Sequence, residues 1–177
     1  MQVGRNILLV GVRMPVDNKT YNDNASDFCW VSDHWWSSVH ELRCGSQVVA
    51  SVRINGSAGI AEVANRRYML KRFRLPPYIT MRDAETDELV ARFSLIPKRG
   101  FLAEFEDGQS FRLGWTNWRK REWSWTSDAS GTVLLSHHPW WGKGIEVRIG
   151  PDLREEEKWP LLAVLELATA KLALPWF

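Results

Sequence analysis

The chain has 177 residues, 45% of them hydrophobic, with 23 Lys and Arg against 21 Asp and Glu. That much apolar surface excludes a disordered chain, and 12 Gly, 8 Pro and 2 Cys exclude collagen-like and disulfide-scaffold classes. The length suits one globular domain with a continuous core, and a net charge of +2 is too low for a general nucleic-acid binder, so no nucleic-acid partner is expected.

At the N-terminus the apolar run Ile7 to Val10 is soon interrupted by Arg13. It is shorter than a signal-peptide core and no small-residue cleavage site follows. An Asn- and Asp-rich stretch from Asp17 to Asp27 comes next, so residues 1–28 read as a strand and loop ahead of a domain spanning 29–177. Cys29 and Cys44 form neither a disulfide framework nor a metal-site spacing, and two reduced thiols fit a cytoplasmic protein.

Two clusters invite a metal or catalytic reading: Trp30, Asp33, His34, Trp35, Trp36 and His40, then His137-His138-Pro139-Trp140-Trp141. Neither has a helical HxxxH or paired CxxC spacing, and adjacent histidines on a strand point to opposite faces. No metal is expected. The acidic run Asp83 to Glu88 lacks the glycine and terminal glutamate of a calcium loop and reads as a solvated hairpin turn.

Short β-rich runs occupy residues 48–54, 79–81, 89–95, 101–105, 110–113, 132–135 and 145–149, separated by Asn55-Gly56, Asp107-Gly108 and Ser130-Gly131. An internal repeat aligns residues 48–70 with 89–113, matching Val49 to Val90, Gly59 to Gly100 and Tyr68 to Phe111, with an insertion in the Glu106-Asp107-Gly108 turn. A weaker third copy begins near Trp125 and echoes Met81-Arg82-Asp83-Ala84. Such runs predict an antiparallel meander or barrel.

The last segment, WPLLAVLELATAKLALPWF from Trp159, predicts a helix over about 159–174, opened by Pro160 and stopped by Pro175. Its length approaches the ~20 residues of a membrane span, but Glu166 and Lys171 would each cost about 2.5–3.5 kcal/mol at mid-membrane. A helix apolar nearly all round must be surrounded by protein or lipid. With lipid disfavoured, the expected fold is mainly β: a single closed antiparallel barrel of about a dozen strands around a hydrophobic C-terminal helix. Glu166 would then need a buried partner, for which a wall arginine is the plain expectation.

The strand pairs ITMRDAETDELVARFSL and FLAEFEDGQSFRLGW, and the ending IEVRIGPDLREEEKWPLLAVLELATAKLAL, resemble the tubby C-terminal-like superfamily. That group includes tubby domains, phospholipid scramblases and plant LURP-one-related proteins. The resemblance covers roughly residues 30–177 and implies a barrel of about 12 strands around the C-terminal helix. Tubby domains bind phosphoinositide headgroups through Lys and Arg, and scramblases are associated with calcium and lipid movement. No residue-level site of either carries over.

The densest chemical feature is Trp115-Thr116-Asn117-Trp118-Arg119-Lys120-Arg121-Glu122-Trp123-Ser124-Trp125. Extended, Trp115, Trp123 and Trp125 share one parity. Trp115, Trp118, Arg119, Lys120 and Arg121, with Lys98 and Arg99 from the repeat's loop, form a candidate site for an anionic headgroup, with rings at the membrane interface. The plainer alternative is that the tryptophans pack the barrel wall and the bases cap a solvated hairpin. Arg66 to Arg74 is a second basic stretch without segregated charge.

No GxSxG elbow, P-loop or GxGxxG is present. The expected role is therefore a non-enzymatic binding or scaffold domain, without a cofactor, at a cytoplasmic membrane periphery. Its expected partners are an anionic phospholipid or membrane surface and an unidentified protein. The competing reading is a carbohydrate- or protein-binding β domain that uses exposed tryptophans.

Overall fold

The structure, a computed structural model, describes residues 28–34, 37–96, 100–117, 121–128, 131–137, 144–149 and 158–172. Residues 1–27 lie outside that set. The strands are β1 (Phe28–Val31), β2 (Val39–Cys44), β3 (Gln47–Asn55), β4 (Ala58–Val63), β5 (Arg66–Phe73) and β6 (Tyr78–Asp83). They continue as β7 (Leu89–Ile96), β8 (Gly100–Phe105), β9 (Ser110–Asn117), β10 (Glu122–Ser127), β11 (Gly131–His137) and β12 (Ile145–Ile149), and the helix is α1 (Trp159–Leu172).

Every strand pairs antiparallel with its chain neighbour, and β12 returns to β1 through Phe28↔Val147 and Trp30↔Ile145. The result is a closed meander of twelve strands with no free sheet edge. Burial alternates along the walls as the pleat requires, with Ala50, Val52, Ala61, Val63, Tyr68, Leu70, Ile79 and Met81 facing in. A register shift between Trp125 and Thr126 sets both Val133 and Leu134 inward on β11.

The helix is in the lumen. From Trp159 through Thr169 its residues are buried on every side, and it touches opposite walls. The Trp159 ring lies 4.5 Å from that of Phe28 on β1, Glu166 meets Trp125 on β10 and Ser136 on β11, and its backbone runs closest to β3 and β4. That off-centre path matches the residue sizes. The β3–β4 wall pairs Ala50 with Val63 and Val52 with Ala61, all small, so the helix can approach. Across the lumen Ala91 pairs with Phe105 and Phe93 with Ala103, and these rings with Trp125 fill the wider gap. Such alternation of large and small side chains packs a wide barrel without voids.

The internal repeat is structural. Residues 48–70 form β3–β5 and residues 89–113 form β7 to mid-β9, with Tyr68 and Phe111 both buried. Its glycines have a steric reason: a Cβ on Gly59 would lie 3.0 Å from the Arg53 carbonyl, and one on Gly100 (φ 91°) would collide with that of Leu113. Seven strands match predicted runs; β1, β2, β4, β5 and β10 do not. The first described strand opens at Phe28. The run from Asp83 to Glu88 is a turn, as expected, with Asp83 Oδ1 accepting from the amides of Glu85 (2.8 Å) and Thr86 (3.1 Å). Those bonds hold the Asp83 carboxyl below the usual aspartate range.

A meander has two ends, and its connections alternate between them. Among the described residues of the connections, one end (32–34, 37–38, 56–57, 74–77, 121 and 144) holds two Arg and one Asp, and the other (45–46, 64–65, 84–88, 106–109, 128 and 158) holds six Asp or Glu and one Lys. The described connections are thus acidic at one end of the barrel and not at the other. The helix starts at the acidic end, where Lys158 Nζ donates to Asp107 and, at 2.8 Å, to Gln109 Oε1. This bond, with the Gln109 amide, lowers the Asp107 carboxyl's pKa. The helix finishes at the basic end.

Candidate functional site: the basic mouth of the barrel

The β9–β10 hairpin carries the tryptophan-rich segment. Trp123 pairs directly with Trp115, their ring centroids are 3.8 Å apart, and both follow the inward parity of buried Trp125. The common parity read from the sequence is therefore realised. Trp125 lies deep in the wall, whereas Trp115 is at the rim and 51% exposed, and Trp123 is partly buried against the core. The two readings of the tryptophans divide by depth: Trp125 packs the wall, and Trp115 presents a ring to solvent.

Arg121 lies at the turn into β10, half-buried, with φ 55°. Trp118, Arg119 and Lys120 lie outside the described residues, as do Lys98 and Arg99. Connectivity still fixes which strand ends these segments join: 97–99 link Ile96 to Gly100, and 118–121 link Asn117 to Glu122, with β8 and β9 adjacent. The described residues that flank them, Ile96, Gly100, Asn117 and Arg121, belong to one end of the barrel, on neighbouring hairpins.

The β5–β6 connection belongs to that end too, and its role was not visible in the sequence. Arg72 is half-buried, Arg74 is exposed, and Leu75 is 92% exposed. At the base of this turn the rings of Phe73 and Tyr78 stack at 4.5 Å and 15°. Lys71 Nζ lies 5.3 Å from the Phe73 ring centroid, and the Arg92 guanidinium lies 4.4 Å from that of Tyr78. This platform braces a turn whose tip is a leucine. The signal in the sequence is Leu75 itself, an apolar residue ahead of Pro76-Pro77 where a turn should be polar.

Inside the mouth, His40 on β2 is 3% exposed and its Nε2 sits 2.8 Å from the Ser37 carbonyl, the geometry of a donated N–H. Burial, and secondarily the Lys171 charge, hold the imidazolium's pKa below the ordinary histidine range, opposed by the Ser37 bond. Burial of Lys171 lowers its ammonium to about 8. The native state thus binds the His40 proton less readily than the unfolded chain. The stability His40 contributes is present above the unfolded histidine pKa of about 6.5 and is lost as pH falls through its lower folded pKa. Urea midpoints at pH 7 and pH 5 should fall more for the wild type than for His40→Gln; equal falls would mean that His40 does not titrate on unfolding.

Glu166 is 4% exposed and accepts from Trp125 Nε1 at 3.1 Å and from Ser136 Oγ. The sequence suggests a wall arginine as partner; two donors from the wall are the Trp125 indole and the Ser136 hydroxyl. His137 lies outward, 3.9 Å from Glu146 through Nδ1, and His138, Trp35, Trp36, Trp140 and Trp141 lie outside the described residues. Among the described residues no group of His, Cys, Asp or Glu could hold a metal ion, and no helix is long and apolar enough to cross a membrane. Cys29 is a half-buried thiol whose pKa is raised by burial and by Glu146.

No family model, curated protein or solved structure matches this chain.

Proposed function

We propose that this barrel is a non-enzymatic binding domain that attaches peripherally to anionic lipid headgroups through the basic and aromatic connections of one end. The observation that carries this reading is the charge of the two ends: among the described connection residues the far end holds six acids against one Lys and the mouth two Arg against one Asp, while the sequence has Lys98 and Arg99 between β7 and β8, and Arg119 and Lys120 between β9 and β10. A protein of nearly neutral total charge approaches an anionic surface with such a dipole already oriented. The resemblance to the tubby C-terminal-like superfamily, in which tubby domains take phosphoinositides, supports it. The exposed ring of Trp115, stacked on Trp123, favours a second reading as a carbohydrate- or protein-binding platform.

Co-sedimentation with vesicles of phosphatidylcholine alone and of phosphatidylcholine with phosphatidylserine, at low and physiological salt, separates the two. The lipid reading expects binding only to the anionic vesicles, weakened by salt. Each Lys or Arg near the surface contributes about 1 kcal/mol. Lys98→Glu with Lys120→Glu should therefore reduce partitioning by well over tenfold at low salt. Absence of binding at low salt sinks the lipid reading. A tryptophan fluorescence change on adding oligosaccharide, insensitive to salt, would put the second reading first.

A further inference from the structure

Exposed apolar side chains are spread over the barrel, from Val48 on the outer wall of β3 to Leu75 at the mouth. Among the described ones, Ile60 on β4 (45% exposed) and Met69 on β5 (38%) stand directly opposite each other in register. They form an apolar cross-strand pair on the outside of the barrel. The same lateral row continues with a cation on each side: Arg53 lies opposite Ile60, and Arg82 lies opposite Met69. The next outward row holds Lys71, Thr80 and Arg92. Beyond it the stacked rings of Phe73 and Tyr78 hold the Lys71 ammonium at 5.3 Å and the Arg92 guanidinium at 4.4 Å. All four cations are exposed, and among the described residues Arg53, Lys71 and Arg92 make no ion pair. The acids nearby are few. Glu62 is held by Arg67 at 2.9 Å, Asp87 lies 3.7 Å from Arg82, and Glu104 stands opposite Arg92 at the edge.

The solvated face of an antiparallel sheet is ordinarily polar. An apolar cross-strand pair adds a little to strand pairing, but covering it with a partner removes much more apolar surface from water. An apolar centre that includes methionine, with arginines at its rim, is the anatomy of a protein interface. A bilayer suits this wall poorly, because the pair lies mid-strand between charges and does not project from a loop. Charge then selects the partner: exposed cations around the pair require a partner that brings acids. We propose that the β3–β7 wall docks an acidic amphipathic polypeptide segment, with apolar side chains seated on Ile60 and Met69 and carboxylates reaching Arg53, Lys71, Arg82 and Arg92. Arg53 and Arg82 are three strand intervals apart, about 14 Å, so the partner's acids flank its apolar residues on both sides. This wall is separate from the mouth, and its use does not depend on what the mouth binds.

A phage-displayed library of short random peptides, panned on the immobilised full chain, tests this wall. Enriched peptides should carry Asp or Glu on both sides of apolar residues. Ile60→Thr and Met69→Thr keep residues suited to a strand and should each weaken binding of those peptides by about tenfold, equally at low and physiological salt. Arg53→Gln and Arg92→Gln should each weaken it about three- to tenfold at low salt and less at physiological salt. Arg148→Gln, on the outer wall of β12, should leave it unchanged. Thermal midpoints near that of the wild type show that docking and not folding was lost; if a threonine variant melts early, Arg53→Gln decides. Absence of enrichment, enriched peptides without acids, or peptides that bind the Ile60, Met69 and Arg53 variants as tightly as the wild type would overturn the inference. An equal loss in Arg148→Gln would do the same, since the attraction would then be general. So would anionic vesicles that bind the wild type and bind both threonine variants more weakly, because lipid would then be the occupant of this wall.

Discussion

Replacing Trp125 with alanine should destabilise the barrel by about 3–5 kcal/mol, a large share of a typical domain's stability. The side chain is fully buried, its ring is 5.5 Å from that of Phe93, and its Nε1 donates to Glu166 at 3.1 Å. Truncation would leave a cavity beside the helix and remove one donor from a buried carboxylate. Both penalties act in the same direction. Trp125→Phe separates them: the ring volume is mostly kept, and leaving a buried carboxyl oxygen without this donor should cost about 1–3 kcal/mol. Urea unfolding followed by circular dichroism, with unchanged m-values, measures both. Loss of less than about 1 kcal/mol in the alanine variant would mean that the Trp125–Glu166 contact does not hold helix to wall.

The fold was legible because two of its physical signals are strong. A helix that is apolar nearly all round has few places to go, and repeated short strands with glycine turns leave few architectures. What escaped were strands whose local pattern is diluted. β4, Ala-Gly-Ile-Ala-Glu-Val, is built of small residues where the helix runs along the β3–β4 wall, so the sequence gives up β-propensity for clearance. β5, Arg-Arg-Tyr-Met-Leu-Lys-Arg-Phe, looks like a charge run until its register is known; then Tyr68 and Leu70 face the lumen and the bases lie outside or at the ends. Only the partner strands fix that parity.

The site was legible in composition but not in place. Trp115 and Arg121 stand out in any reading of the chain, and their membership of one end follows from counting strands. Leu75 did not stand out, because one leucine before two prolines has no periodicity; its meaning comes from 92% exposure on a braced turn. The partners of Glu166 were also beyond reach. Trp125 is 41 positions away and Ser136 is 30, and neither separation carries a local signal. A buried carboxylate announces only that it needs donors, not which ones.

A chain ending at Glu157 should fail to form the barrel at all. Twelve strands enclose a lumen too wide for wall side chains to fill by themselves, and here α1 fills it. Without the helix, Leu42, Leu70, Met81 and Leu113 would face an opening instead of a packed neighbour. Glu166 would no longer hold Trp125 and Ser136 together across β10 and β11. The expected product retains some β signal but has no cooperative thermal transition, and it binds a hydrophobic dye such as ANS. Leu162→Ala is the graded counterpart: it leaves the helix in place and should cost about 2–5 kcal/mol with cooperativity retained. A sharp transition near the wild-type midpoint in the shortened chain would show that the wall closes on itself. The helix would then be an occupant of the lumen and not the core around which the strands assemble.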